Sequence, residues 1–261
     1  MSGFTKVLGV AVDSITKIMG VSPENMEKII GISPADDGGE EGGGGNAGSG
    51  GLEENAGATF FGNASLSNGV LQLDGNGDYI SIPSSLDYDR TAGVSSGDMT
   101  VEAWFNAAQL PSANTNYAIV MKGTGAHQWN GWVITLSTQK DDSNSFMTNG
   151  GIGIFNNSTG TGGQNRNNRA APSGGVSTNT WHYVVLVMDA DDVYRIYFDG
   201  QQIHTFTPFS RSTSTSSSLL IGATRTTSPA VNFFNGQIDG VKITKSALTA
   251  QNILDTWNGG R

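Results

Sequence analysis

Short runs of alternating apolar and polar residues, separated by turn-forming residues, fill the chain from residue 59 to residue 261. Such alternation is typical of strands that bury one face and expose the other. Clusters of Gly, Ser, Thr and Asn between the runs leave little room for long helices, and the chain carries 37 Gly in 261 residues. The pattern predicts an all-β fold, a two-sheet antiparallel sandwich of the jelly-roll type.

Nine segments carry the clearest strand signal. They are residues 78–82, 99–105, 132–136, 151–155, 181–188, 193–198, 202–206, 219–222 and 237–244. The dipeptide Asp199-Gly200 lies between two of them and predicts a two-residue hairpin loop. One helix is predicted near the C-terminus, with Thr249 as its N-cap and an apolar face that includes Ile253 and Trp257.

An 11-residue repeat opens the chain, with glycines at positions 9, 20 and 31. Each unit is predicted to form one or two helical turns whose apolar residues, three and four positions apart, share one face. The face consists of Ile15, Ile18, Met19, Met26, Ile29 and Ile30. Such short helices cannot bury this face alone. Residues 1–34 are therefore predicted to dock on another protein, and a frayed tail is the alternative.

A Gly-rich and acidic stretch, residues 35–58, follows the repeat and has no apolar cluster to offset the entropy of ordering. We predict a flexible linker between an N-terminal anchor, residues 1–34, and the β-domain, residues 59–261. Overall the chain has a net charge of -9, which argues against a basic nucleic-acid-binding face. No apolar run approaches the ~20 residues that span a bilayer, and the N-terminus lacks the pattern of a signal peptide.

Seven ordered segments of the β-domain resemble the laminin-G-like jelly roll of the concanavalin A-like lectin/glucanase superfamily. They begin at Leu73, Met99, Trp181, Tyr194, Leu220, Phe234 and Ala247. The resemblance covers residues 60–258 and implies two antiparallel sheets of six or seven strands, one concave and one convex.

Glucanases of this superfamily carry a Glu-x-Asp-x-x-Glu strand, which places two acids on one face for hydrolysis. The chain lacks this motif, and Glu102 is its only Glu after Glu54. Since no nucleophile motif of another class is present and the chain has no Cys, we predict that the protein is not an enzyme.

Calcium is the one cofactor that the sequence supports. Oxygen-rich turns suit this cation, and residues 74–78 offer two carboxylates and free backbone carbonyls. The alternation slips between Ile238 and Val241, which predicts a bulge that redirects Asp239. Similar domains bind a structural Ca²⁺ between these segments, which implies Asp239, Gly75, Asp78 and Asp74 as ligands. The alternative is that these residues only form turns and a bulge.

A sugar site is a further expectation, because lectin-like sites combine aromatic faces with polar groups on loops. The candidates are Trp129, Tyr117, His127 and Arg166, in two loop-rich stretches. In the alternative interpretation, Trp129 and Tyr117 only pack loops over the sheet.

The repeat also resembles short Ile-x-Lys-Ile-x-Gly-Val repeats in structural proteins of tailed bacteriophages, matched here by residues 15–21 and 26–32. Together the two resemblances imply a virion structural protein, a capsid decoration or fibre-like appendage on the particle surface. Residues 1–34 would dock on capsid or tail proteins, with several copies forming a homo-oligomer. The alternative is a carbohydrate-binding module that recognises host or matrix polysaccharide.

Overall fold

The computed structural model describes residues 30–33, 58–84, 97–124, 130–141, 143–156, 168–207, 217–224 and 230–261. These residues form fifteen strands and one helix. The strands are β1 (Ile30–Ser33), β2 (Thr59–Phe61), β3 (Ser65–Ser67), β4 (Val70–Asp74), β5 (Tyr79–Ile82), β6 (Met99–Ala107), β7 (Asn116–Thr124), β8 (Asn130–Ser137), β9 (Gly151–Asn156), β10 (Asn168–Ala170), β11 (Trp181–Met188), β12 (Tyr194–Phe198), β13 (Gln201–Phe206), β14 (Leu219–Ile221) and β15 (Asn235–Thr244). The helix is α1 (Ala250–Gly259).

The strands form two packed sheets. In the first, seven antiparallel strands lie in the order β13-β12-β11-β6-β15-β4-β3, and β1 adds to β15 as an eighth. The second, seven-stranded sheet has the order β10-β9-β8-β7-β14-β5-β2. The predicted fold class, a two-sheet antiparallel jelly-roll sandwich, is confirmed. No described helix is long and apolar enough to cross a membrane.

The core lies between the two sheets, where the inward-facing positions of facing strands meet. Alternate residues of β6, such as Val101 and Phe105, are fully buried against residues of the other sheet, such as Trp132 and Leu136. Each fully buried large apolar side chain contributes roughly 1.5–3 kcal/mol relative to exposure. The alternation that predicts the strands is therefore also the pattern that holds the two sheets together.

Helix α1 packs on the outer face of the eight-stranded sheet. It begins at the predicted N-cap, since Thr249 accepts a hydrogen bond from the Asn252 backbone N–H. Trp257 stacks on Trp104 of β6 with ring centroids 5.4 Å apart, and Ile253 is fully buried in the same cluster. The apolar face that was predicted for this helix, with Ile253 and Trp257, therefore packs on the apolar part of the outer sheet face.

Glu102 is the polar centre beneath the helix. It is buried, it accepts a hydrogen bond from the Tyr183 hydroxyl, and the Lys242 ammonium lies 3.7 Å from its second oxygen. Burial first, and then the negative charge and hydrogen bonding of Glu102, raise the pKa of Tyr183 well above its ordinary value of 10.0. This carboxylate therefore has a structural role in the described structure.

The predicted hairpin and bulge are confirmed. Asp199 and Gly200 connect β12 to β13, and both have positive φ, as this two-residue turn requires. In β15, the pairing with β6 shifts between Asp239 and Lys242, with Gly240 at φ 54°. An extra residue therefore interrupts β15 where the alternation slips.

The prediction of a helical turn at Ile30 is wrong. Residues Ile30–Ser33 form β1, which pairs in parallel with Val241–Thr244 of β15. Strand β4 pairs with β15 only as far as Ile238, so the next stretch of β15 has free backbone groups on that side. The β-branched Ile30 and Ile32 suit an added strand. The other predicted docking residues, Ile15, Ile18, Met19, Met26 and Ile29, lie outside the described residues, as does the 35–58 linker up to residue 57.

Gly236 is the glycine of β15 that comes closest to a neighbouring backbone. Its φ is 140°, and a Cβ there would lie 2.1 Å from the Asn106 carbonyl oxygen of β6. We expect Gly236→Ala to lower the free energy of unfolding by more than about 3 kcal/mol in urea denaturation. Gly77→Ala is the matched control, because Gly77 also has positive φ but open space around its Cα, and should cost about 1–2 kcal/mol. Equal losses for the two variants would contradict the close approach.

The raised pKa of Tyr183 predicts a pH dependence. Above pH 10, the unfolded tyrosine ionises while the folded one stays protonated, so folding stability should fall as pH rises. Tyr183→Phe should cost about 1–3 kcal/mol at pH 7, because it leaves the buried Glu102 without a donor. Its stability should then decline less between pH 9 and 11 than that of the unmodified protein. Parallel stability curves for the two proteins in urea titrations would contradict the raised pKa of Tyr183.

Candidate functional site

A polar groove of about 450 Å³ lies at one end of the eight-stranded sheet. Amide side chains dominate its wall, together with two carboxylates. The lining residues are Asn63, Gln72, Leu73, Asp74, Asp78, Asn106, Ala108, Asn179, Asn235, Gly236 and Gln237. Five separate stretches of the chain thus meet in one groove.

Strand register brings the central amides together. Gln237 of β15 lies opposite Gln72 of β4 on one side and Asn106 of β6 on the other. Their sequence neighbours Leu71, Phe105 and Ile238 are buried in the core, so the three amides face outward. Neighbouring strands are ~4.8 Å apart, so three amides in one line span about 10 Å. We call Gln72, Gln237 and Asn106 the amide row.

The amide row offers donors and acceptors on one face. The Gln237 amide donates to the Gln72 side-chain oxygen at 2.8 Å, which fixes the orientation of both side chains. Each side-chain amide combines two N–H donors with one carbonyl acceptor. A ligand with several hydroxyl groups can exchange hydrogen bonds in both directions with such a surface. Among the described residues that line the groove, none carries a positive charge.

Asp78 holds one wall of the groove in place. Its carboxylate is buried and accepts backbone N–H groups from Asn63 at 2.5 Å and from Asp74 at 2.8 Å. It thereby ties the β2–β3 turn to the β4–β5 turn. Asp74 is exposed instead, and its carboxylate caps the turn by accepting the Asn76 N–H at 2.7 Å.

Trp181 extends the line of the amide row into β11. Its Cα pairs with that of Asn106, and its ring face carries the Arg261 guanidinium, 4.1 Å from the ring centroid. Arg261 also forms an ion pair with Asp239, the next outward residue of β15 after Gln237, at 2.5 Å. The aromatic end of the line is therefore covered by a side chain that is itself held by a carboxylate.

The structure does not gather the four predicted calcium ligands. Asp74, Gly75 and Asp78 share one turn, but Asp239 is not among the groove residues, and its carboxylate binds Arg261 and the Gly240 N–H. Both oxygens of Asp78 already accept backbone N–H groups. Among the described residues, no three acidic or histidine side chains lie close enough together to hold a metal ion. As arranged here, these residues do not fit a calcium site, and calcium binding stays a prediction.

Of the predicted sugar-site residues, Tyr117 is described and lies in a strand instead of a loop. It is the second residue of β7, and its ring packs edge-on against Phe234. The other three, Trp129, His127 and Arg166, lie outside the described residues. The segment with Trp129 and His127 follows the far end of β7, at Thr124, about 20 Å from Tyr117 along the strand. Tyr117 and Thr124, the last described residue before that segment, therefore lie near opposite ends of β7.

A family match follows from the sequence. The model of the Laminin_G_3 family, described as concanavalin A-like lectin/glucanases superfamily, matches residues 74–254. The chain belongs to this superfamily. The expected jelly roll is thereby supported, whereas the expected bacteriophage repeat has no support from the comparisons. No curated protein sequence matches the chain.

Solved structures that are similar to this chain include two with bound sugars. Domain 4 of an extracellular arabinanase from Geobacillus stearothermophilus, in complex with arabinotriose, has a TM-score of 0.52 and 21% identity, over 76% of this chain and 86% of that one. A heptameric pentraxin from Limulus polyphemus reaches 0.49 with 13% identity, over 71% and 79%. A Ruminococcus gnavus sialidase CBM40 bound to α2,3-sialyllactose reaches 0.46 with 15% identity, over 60% and 81%. At 21% sequence identity, the likeness to the arabinanase domain concerns the fold alone.

Sequence reasoning missed the amide row. The predicted sugar-site residues, aromatic and basic, belong to loop-rich stretches, whereas these amides lie inside strands and are 34 and 131 positions apart along the chain (72 to 106 and 106 to 237). One signal was available. Gln72 lies between two leucines, and Gln237 and Asn106 likewise adjoin core residues, so all three alternate outward. Which outward residues become neighbours depends on strand order, and the alternation alone does not give it.

The two aspartates of the groove should differ in their contribution to stability. Asp78→Asn keeps one acceptor oxygen and places an N–H₂ group against a backbone N–H, so we expect a loss of about 1–3 kcal/mol. Asp74→Asn is the matched control in an exposed turn and should cost less than about 1 kcal/mol. Urea denaturation of both variants measures the difference. Equal effects would mean that Asp78 does not hold the two turns together.

Proposed function

We propose that this protein is a carbohydrate-binding module that recognises neutral glycans through the amide row and its groove. The main support is the alignment of Gln72, Gln237 and Asn106 on one outward face. Further amide side chains, those of Asn63, Asn179 and Asn235, line the same groove. Sugar-binding sites use a few well-placed polar groups to fix ligand hydroxyls. Membership of a lectin-containing superfamily and the arabinotriose complex of the similar arabinanase domain support this class of ligand.

The charge of the groove favours uncharged sugars. Its described lining contains Asp74 and Asp78 and no basic side chain, and the whole chain has a net charge of -9. In the described groove lining, a uronic acid or sialic acid carboxylate would meet negative charge and no basic side chain, and Arg261 at the end of the amide row is already paired with Asp239. Amides, in contrast, bind hydroxyl groups without a charge penalty.

The same residues support binding without catalysis. Glycoside hydrolysis uses two carboxyl groups on opposite sides of the scissile bond. In the groove, both oxygens of Asp78 are occupied by backbone N–H groups, and Asp74 alone is exposed. Glu102 is buried beneath α1, away from the groove lining. These positions leave no carboxyl pair in the described groove.

The expected virion role, as a capsid decoration or fibre-like appendage at the particle surface, depends on residues 1–34. Of these, the structure describes Ile30–Ser33 as strand β1, which pairs within the domain. Neither the family match nor the similar structures point to a particle. Docking on capsid or tail proteins, and a homo-oligomeric assembly, stay predictions, and the observations favour the carbohydrate-binding alternative.

Calorimetric titration tests the proposal. The probes are the neutral trisaccharides arabinotriose, maltotriose and cellotriose, with α2,3-sialyllactose as the anionic comparison. We expect binding of at least one neutral probe, weaker binding of sialyllactose, and a loss of roughly tenfold in affinity in Gln237→Ala, which removes about 1.4 kcal/mol of hydrogen bonding.

Gln201→Ala provides the matched control, because Gln201 is an exposed glutamine at the far edge of the same sheet. It should bind as the unmodified protein does. Binding that is equal in Gln237→Ala and Gln201→Ala, or preference for sialyllactose, would contradict recognition through the amide row.

A further inference from the structure

We propose that Trp181 is a sugar-stacking subsite at the end of the amide row, and that Arg261 covers this subsite until a glycan displaces it. The inference rests on the proposed function. It adds Trp181 as an aromatic contact for the glycan and Arg261 as a side chain that competes with the glycan for this contact. Three observations carry it: the register of Trp181 with Asn106, the guanidinium on the ring face, and the ion pair that holds the guanidinium there.

The position of Trp181 suits a ligand that already contacts the amides. It is the next residue across the sheet from Asn106, one strand spacing of ~4.8 Å further along the same line. Indole faces bind the apolar face of a sugar ring, while neighbouring polar groups bind its hydroxyls. A chain of sugars lying across β4, β15 and β6 would therefore place its next ring over β11 and Trp181.

The other aromatic side chains on this face are not comparable. Trp104 stacks between Tyr183 and Trp257, with ring centroids at 4.8 Å and 5.4 Å, so α1 covers it. A ligand could reach Trp104 only after displacement of the helix. Trp181 is partly buried and packs against the same cluster, but the face of its ring is covered by the side chain of Arg261, which is 36% exposed.

The Arg261 side chain is suited to leave the Trp181 ring when a glycan binds there. The Arg261 guanidinium is 36% exposed, and contacts between a solvated cation and an aromatic ring are weak; its partner Asp239 is 14% exposed, so solvent screens the ion pair only in part. When Arg261 moves away, the Asp239 carboxylate also loses its ion-pair partner. Asp239 lies two residues after Gln237 on the same face of β15, and without Arg261 it can accept a hydrogen bond from a sugar hydroxyl. Displacement therefore exchanges one partner of Asp239 for another.

The competition predicts opposite effects from the two side chains. Titration with arabinotriose, maltotriose and cellotriose should show tighter binding, by about two- to fivefold, in Arg261→Ala, because the cation–π competitor is gone. Trp181→Ala should weaken binding at least about fivefold, and Trp181→Phe should retain most of the affinity because a ring face remains. Added salt should strengthen binding by the unmodified protein by weakening the Arg261–Asp239 pair, and should leave Arg261→Ala unchanged.

The controls separate this inference from the proposed function. If Gln237→Ala loses affinity while Trp181→Phe, Trp181→Ala and Arg261→Ala bind as the unmodified protein does, the subsite is overturned and the amide row stands. Weaker binding in Arg261→Ala would overturn the competition and make Arg261 a ligand contact. If the unmodified protein binds none of the probes, both the proposed glycan binding and the Trp181 subsite are contradicted. Thermal denaturation of each variant checks folding, and should Trp181→Ala not fold, Trp181→Phe and Arg261→Ala decide the question.

Discussion

The pairing of β15 with its neighbours is the constraint on which the rest of the structure depends. This strand lies between β6 and β4, and its register places Ile238 in the core and Gln237 on the outer face. A slip of one residue would exchange the two faces, moving amides into the core and apolar side chains into water. The buried alternation therefore fixes the position of the polar groups that we assign to ligand binding.

The outer face of the eight-stranded sheet is divided into two parts with different roles. Helix α1 covers one part, where Trp104 and Tyr183 form an apolar layer around the buried Glu102. The other part carries the amide row, which lines the groove. The bulge after Asp239 lies near the boundary and shifts the register, so that Lys242 approaches Glu102 while Asp239 reaches Arg261. One strand thus serves a structural cluster and a candidate binding surface.

Much of the fold could be predicted from the sequence, and little of the site. Alternation located β6, β11 and β12, and turn chemistry located the Asp199-Gly200 hairpin, because these signals are local. Strand β7 was missed, since Lys122 and Gly123 interrupt its pattern, although Lys122 is buried and bonds Ser84 and Ser217. The amide row required the order of three strands distant in sequence, which only the folded chain supplies. The N-terminal repeat resembled a helical anchor, yet the stretch at Ile30 pairs as a strand because β15 offers it free backbone groups.

The central claim is that glycans bind the outer face of the eight-stranded sheet at the amide row. Nuclear magnetic resonance of the side-chain amides tests it most directly, since Asn and Gln N–H₂ groups report local contacts. On titration with neutral trisaccharides, the account predicts shifts for Gln72, Asn106 and Gln237, with Gln201 and Gln202 unaffected. Shifts confined to residues 125–129 and 157–167, with none in the amide row, would contradict it and place the ligand at the segments that contain Trp129, His127 and Arg166.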